Sequence, residues 1–129
     1  MGVLLDTTVL IDALRGRSAA QRLLSLRATG GVPWVCAINV DEIWRGVRPS
    51  DETAVQRLFD GLRVVPLGRV EGERAGGWRR DYAGRGITLA QADCLIAAAA
   101  VSIGAPLATG NPKDFPMTEL DVQHWPVGD

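Results

Sequence analysis

The chain has 129 residues, 47% hydrophobic and 22% charged, with a formal net charge of −1. That size and balance supports an ordered domain with a hydrophobic core and sets aside disorder. The near-neutral charge sets aside a fold held on nucleic acid by bulk electrostatics, so any such contact must be local.

Residues 2 to 5, GVLL, form a short apolar run that ends at Asp6, and TTVLIDALRG then carries helical spacing at Val9, Leu10, Ala13 and Leu14 until Gly16. Ser18 is placed to cap a second helix that runs to about Ala28 and ends at Gly30 and Gly31. VPWVCAI reads as a second buried strand, and from Asn39 the pattern turns helical again, with Val40, Ile43, Trp44 and Val47 on one face. A further helix is expected at about 51 to 61, followed by a third strand in RVVPL, where Pro66 marks an end or an edge position. Residues 69 to 86 have helical tendency but are expected to break at Gly76, Gly77 and Gly84.

Thr88 and Gln91 have capping-box spacing in front of LAQADCLIAAAAVSI, a helix so apolar that most of its circumference must be buried. APLAT gives a fourth strand, NPKDF a turn and ELDVQHW a last strand. Strands alternating with helices at this spacing imply an α/β fold, a mostly parallel sheet of four to five strands with helices on both faces. Cys36 and Cys94 read as buried reduced thiols. No apolar run approaches the roughly 20 residues of a membrane span, and MGVLLDTT meets an acid where a signal peptide stays apolar, so a soluble, cytoplasmic protein with no membrane partner is expected.

In open α/β sheets functional groups gather at the carboxyl ends of the strands. Asp6 follows the first strand, Glu42 the second, and Asn111 and Asp114 the fourth, while Asp93 lies in the apolar helix. Each has an ordinary structural reading. Asp6 is a favoured N-cap, Asn39 and Glu42 have capping-box spacing with Arg45 within ion-pair reach, and Asn111 and Asp114 suit a turn. Asp93 is harder to account for, because a carboxylate among Ala92, Ile96, Ala97 and Ala100 needs a partner or a metal, and counted from Thr88 it lies beyond the first helical turn. Several carboxylates converging on one crevice repel one another and make sense around a hard divalent cation, with Mg²⁺ the natural guest. Such a site can activate water at a phosphodiester without a side-chain nucleophile. The single His124 reads as a surface strand residue. Arg74, Arg79, Arg80 and Arg85 with Trp78 and Tyr82 have two readings: a grip on phosphates and bases, or a solvated helix with its aromatics packed inward.

LLDTTVLID, NVDEIWRG, ITLAQADCLIAAAA and LATGNPKDF, in that order, resemble the PIN domains and, within them, the VapC toxins of prokaryotic toxin–antitoxin pairs. The resemblance spans nearly the whole chain and implies a single PIN domain over 1–129. It also implies an endoribonuclease, dependent on Mg²⁺ or Mn²⁺, that leaves a phosphate and a hydroxyl end. Asp6, Glu42 and Asp93 would be its metal-binding acids, with Thr8 in support. Many members carry Asp where this chain has Asn111, so the fourth acid is either replaced by Asn111 or supplied by Asp114. Arg79 and Arg80 are the candidates for RNA contact. The implied partners are an RNA substrate, a VapB-type antitoxin lying across the active-site groove, and a second copy of the chain in a homodimer. Two other readings stand beside this one: a non-catalytic PIN-like module that binds RNA or protein, and a phosphatase with Asp6 as nucleophile. The phosphatase would want an acid at position 8, where the chain has Thr8.

Overall fold

Parallel strands are covered on both faces and therefore read as unbroken apolar runs, as GVLL and VPWVC do. The structure, a computed structural model, describes residues 1–128, so Asp129 of the expected 1–129 unit lies outside the described residues. The elements run β1 (Gly2–Leu5), α1 (Thr7–Leu14), α2 (Ser18–Ala28), β2 (Val32–Cys36), α3 (Ala37–Arg45), α4 (Glu52–Asp60), β3 (Arg63–Val65), α5 (Arg69–Ala83), α6 (Gln91–Ser102), β4 (Leu107–Thr109) and β5 (Val122–His124). Single turns of 3₁₀ helix lie at Pro49–Asp51 and Pro112–Asp114. Among the described residues no helix is long and apolar enough to cross a membrane.

The five strands form one sheet in the order β3-β2-β1-β4-β5, and every pairing is parallel. The strand period of two splits the core between its faces. Leu4, Cys36 and Leu107 face one side and pack with Ala75, Trp78 and Tyr82 of α5 and the buried alanines of α6. Val3, Leu5, Val35 and Ala108 face the other side, with Val9 and Leu10 of α1, Leu23 of α2, Ile43 of α3 and Val55 of α4. The strand order reverses between β1 and β4, which opens a crevice at their carboxyl ends where an open α/β sheet can receive a ligand.

Three local expectations need correction. Helix α6 starts at Gln91 with Ala90 as its N-cap residue in extended conformation, so Thr88 caps nothing. Leu89 is buried in the core beneath α5 and α6, which holds residues before Ala90 out of the helix. Asp93 is thereby the third residue of α6 and lies within its first turn. Helix α5 is continuous through Gly76 and Gly77, because the stripe of Ala75, Trp78 and Tyr82 packs against the core and outweighs a glycine penalty of roughly 1 kcal/mol each. The break comes only at Gly84, and Gly86 adopts a φ of 77° in the connection to α6.

The third correction concerns Ser18. It is the first residue of α2 rather than its cap, and its hydroxyl donates to the Gly128 carbonyl at 2.6 Å. The start of α2 is served instead by Asp12, a buried acid at the end of α1. Asp12 Oδ2 accepts the Ala19 N–H at 2.8 Å and Oδ1 accepts the Gly128 N–H at 2.7 Å, so one carboxylate ties α1, α2 and the C-terminal segment together. Burial works to raise its pKa, but the Ala19 and Gly128 amides and nearby Arg17 and Arg15 outweigh it, and the net shift is downward.

Two stability predictions follow from this packing. A Cβ at Gly76 would meet no neighbouring atom within 4 Å, so Gly76→Ala should stabilise by roughly 0.5–1 kcal/mol through the helix it already occupies, read as a melting temperature higher by a few degrees. Asp12→Ala should lower the melting temperature by roughly 10 °C at pH 7, since it leaves two amides without acceptors. A depressed pKa stabilises above the unfolded value and is lost as pH falls through the folded one, so parent and variant should converge in acid.

Candidate metal centre

The apolar run of β1 stops at Asp6, whose backbone is extended while its carbonyl accepts the N–H groups of Val9 and Leu10 at 3.0 and 3.1 Å. It therefore stands at the N-cap position of α1, as its sequence context suggests, yet its side chain makes no capping hydrogen bond. The carboxylate is buried, with a residue exposure of only 5%. Its Oδ2 accepts two hydroxyls, from Thr109 at 2.7 Å and from Thr8 at 3.2 Å, and Oδ1 is left free of side-chain hydrogen bonds. Burial pushes the Asp6 pKa up, the Thr109 hydroxyl, the Thr7 amide and the Thr8 hydroxyl hold it back, and the charge of Glu42 adds to the rise.

The two threonines are fixed in turn. Thr109 Oγ1 accepts the Asn111 N–H at 3.0 Å, and Thr8 Oγ1 accepts the Gly110 N–H at 3.1 Å. A Cβ at Gly110 would stand 2.8 Å from a Val127 methyl and 3.4 Å from the Thr8 hydroxyl, so a side chain there would require Val127 to shift. Thr8 is thus a supporting group around Asp6. Thr109 has the shorter bond and complete burial, and sequence reasoning missed it; the only signal was a polar residue closing the apolar run APLAT.

Glu42 comes to the same crevice from α3. Its Oε1 accepts the Thr7 hydroxyl at 2.7 Å, and Thr7 Oγ1 accepts the Asn39 side-chain amide at 3.1 Å. Asn39 is fully buried, and its Oδ1 accepts the Cys36 N–H at 2.9 Å. This overturns the capping-box reading of Asn39 and Glu42, since α3 begins at Ala37 and Asn39 is its third residue. The expected Glu42–Arg45 ion pair is not among those formed by the described residues.

Asp93 lies half-buried in the first turn of α6. Burial is the largest cause that raises its pKa to about 6, followed by the charges of Asp6, Asp114 and Glu42. The other three candidate acids are therefore all within electrostatic reach of Asp93. The Asn111 side-chain amide donates to Asp114 Oδ2 at 2.7 Å, so the two alternatives for a fourth position lie side by side.

The ion pairs among the described residues are Arg48–Asp51, Arg69–Glu73 and Arg80–Asp81, so no basic side chain neutralises these carboxylates. A hard divalent cation suits such a donor set. Among the described residues no three Asp, Glu, His or Cys side chains stand close enough to enclose an ion by themselves. Mg²⁺ does not require that, because it is commonly held by one or two carboxylates and keeps several waters.

The Arg-rich helix resolves toward its plainer reading in one respect. Trp78 and Tyr82 are buried, with the Trp78 indole donating to Glu119 Oε2 at 2.6 Å and the Tyr82 hydroxyl to the Pro116 carbonyl at 2.9 Å, so neither ring is open to stack a base. Arg79 and Arg80 are exposed. His124 is an exposed residue of β5, and Cys36 and Cys94 are buried free thiols.

Comparison with known proteins agrees with this geometry. A family model described as the PIN domain matches residues 3–119. Ribonuclease VapC10 of Mycobacterium tuberculosis is 35% identical over 117 residues, covering 91% of this chain and 88% of its own. Ribonuclease VapC19 of the same organism is 35% identical over 119 residues, covering 88% of this chain and 92% of its own. Among solved structures, VapBC2 from Rickettsia felis bound to a DNA fragment from their promoter superposes with a TM-score of 0.82 at 20% identity, over 97% of this chain and 99% of that one.

The charge cluster makes a prediction about stability without metal. A carboxyl whose folded pKa is raised stabilises the native state below its unfolded value and loses that contribution as pH rises through the folded one. For Asp93 that window runs from about 4 to about 6. In EDTA, Asp93→Asn should therefore melt a few degrees above the parent at pH 7 and level with it at pH 4. A mutant that melts lower at pH 7 would make Asp93 one half of a structural pair instead.

Proposed function

The chain belongs to the PIN-domain family and, within it, to the VapC-type proteins, and from that premise we propose that it is a Mg²⁺- or Mn²⁺-dependent endoribonuclease toxin that hydrolyses RNA phosphodiester bonds and is inhibited by a VapB-type antitoxin. The observation that carries the reading is the set of four carboxylates, Asp6, Glu42, Asp93 and Asp114, gathered at the strand-order reversal with no basic partner. Asp6 and Asp93 would hold the cation most directly, with Glu42 and Asp114 contributing directly or through water. A bound Mg²⁺ or Mn²⁺ supplies activation of water and stabilisation of the charge that develops on the phosphate.

The chain's own residues prepare for that task. Thr109 and Thr8 fix the Asp6 carboxylate through one oxygen and leave the other for a ligand. Thr7 holds Glu42 at the crevice, and Asn111 orients Asp114. Asp93, with a pKa of about 6, is ionised at neutral pH and more readily so when a cation is near. These supports fix side chains before any substrate arrives, which lowers the cost of ordering the site.

The partner assignment draws on two further observations. The compared VapBC2 structure is itself a complex of toxin and antitoxin components bound to DNA. In this chain a groove of about 540 Å³ runs from Glu42 between Ile11, Leu14 and Val47, lined also by Arg15 and by the Arg48–Asp51 pair. An amphipathic antitoxin segment with apolar anchors and an acidic edge fits that lining. A homodimer, a single functional unit over 1–129 and action in the cytoplasm complete the proposal.

The purified chain should cleave a single-stranded or structured RNA with Mg²⁺ or Mn²⁺ and stop in excess EDTA. Asp93→Asn should lose roughly 100-fold or more of that activity, since an amide is a poorer ligand for a hard cation than a carboxylate. Undiminished cleavage in EDTA would remove the metal from the mechanism. No cleavage together with no calorimetric binding of Mg²⁺ would leave the non-catalytic module as the reading, and a trapped phosphoryl-aspartate at Asp6 would establish the phosphatase.

A further inference from the structure

An anionic substrate approaching four carboxylates needs a cation beside them, and the chain's net charge of −1 supplies no general attraction. Of the five arginines on and just after α5, Arg69 stands at its start and the other four, Arg74, Arg79, Arg80 and Arg85, are the candidates, and the structure separates them by what each already holds. The Arg74 guanidinium lies over the Trp78 ring at 5.9 Å, that of Arg85 over the Tyr82 ring at 4.4 Å, and Arg80 Nε is 3.3 Å from Asp81 Oδ1. Arg79 has no ion pair and no ring contact among the described residues, and it is exposed.

Its place on the helix is equally distinct. Ala75, Trp78 and Tyr82 form the buried stripe of α5, and Arg79 is four residues after Ala75 and three before Tyr82, so it borders that stripe on one side. At 100° per residue Arg74 falls on the opposite border and Arg80 points further outward, while Arg85 lies beyond the end of α5. Helices α5 and α6 pack against each other and are joined by the short segment 84–90, which sets the last turns of α5 beside the first turn of α6. Arg79 is in those last turns and Asp93 is in that first turn.

Resting on the nuclease reading above, we propose that Arg79 is the residue that grips a phosphate of the RNA strand at the rim of the carboxylate crevice. A guanidinium keeps its charge at any working pH and meets phosphate oxygens through paired N–H donors. Placed beside the acids rather than among them, it offsets the repulsion between cluster and substrate without pairing with a carboxylate that would hold the cation. It binds and positions the strand and takes no part in proton transfer.

The test is steady-state cleavage of a single-stranded RNA oligonucleotide with Mg²⁺ over a series of salt concentrations, comparing the parent, Arg79→Ala, Arg79→Lys and Arg69→Ala. Arg69, paired with Glu73 at the start of α5, controls for the loss of one positive charge. Arg79→Ala should raise KM by roughly 10-fold with little change in kcat, and should reduce the slope of log affinity against log salt by about 0.7, the share of one phosphate contact on a single strand. Arg79→Lys should recover much of the salt slope, and Arg69→Ala should behave as the parent. Melting temperatures within a degree or so of the parent separate a substrate contact from a structural role. Parental KM and slope in Arg79→Ala, or an equal loss in Arg69→Ala, would overturn the assignment while the nuclease reading stands. A parent that cleaves no RNA with either metal would overturn the nuclease reading itself, and the assignment with it.

Discussion

Asp6 is a carboxylate with 5% of its surface exposed, at the end of the central strand of a parallel sheet, and much of the local structure serves to keep it there. A buried carboxylate without partners is expelled or protonated. Two hydroxyls on one oxygen keep it in place, and each hydroxyl is itself oriented by a backbone amide of the Gly110–Asn111 turn. That turn must follow β4 directly, and β4 must pair with β1, for the two hydroxyls to reach Asp6. The strand order, the turn and the threonines are linked through this one group.

The same device recurs with Glu42. Thr7 accepts from the buried amide of Asn39 and donates to the acid, as Thr8 and Thr109 accept from backbone amides and donate to Asp6. A hydroxyl has one proton, so once its acceptor side is taken by an N–H the proton is directed at the carboxylate. Three threonines thereby set the positions of two acids without bringing positive charge into the cluster. An arginine or lysine would have held an acid as firmly, but it would have neutralised the charge that a divalent cation needs. Burial is the largest cause of the rise of the Asp93 pKa to about 6, and the unneutralised charges of Asp6, Asp114 and Glu42 add to it.

Sequence patterning made the fold and the acids legible because both leave strong local signals: apolar runs for buried strands, and charged residues where those runs end. The edge position of β3 was legible from Pro66, and the interior helix α6 from its alanines. What patterning did not reveal depends on contacts between segments far apart in the chain. Thr109 meets Asp6 across 103 residues and Asp12 meets Gly128 across 116, and neither pair has a spacing to recognise. The start of α6 was misjudged because Thr88 and Gln91 satisfy a local rule, while the burial of Leu89 is a tertiary fact that overrides it. The continuity of α5 has the same origin, since glycines that weaken an isolated helix are tolerated where one face is fully packed.

Asn111 shows how far the charge of a site differs from a count of its acids. The sequence poses Asn111 and Asp114 as alternatives for a fourth ligand, but the side-chain amide of one donates to the carboxylate of the other. The backbone N–H of Asn111 donates to Thr109, whose hydroxyl serves Asp6. Asn111 therefore stands between two acids and orders both, through two different donors. An aspartate in its place would keep the backbone bond, lose the side-chain donor and set a further negative charge against Asp114. With Asn111 the fourth carboxylate is moved outward to an exposed position on the 3₁₀ turn, where water screens it and its repulsion of Asp93 is weaker than that of the buried Asp6. The cluster thus keeps four negative groups while only Asp6 among them is buried, a distribution that limits the cost of holding them together.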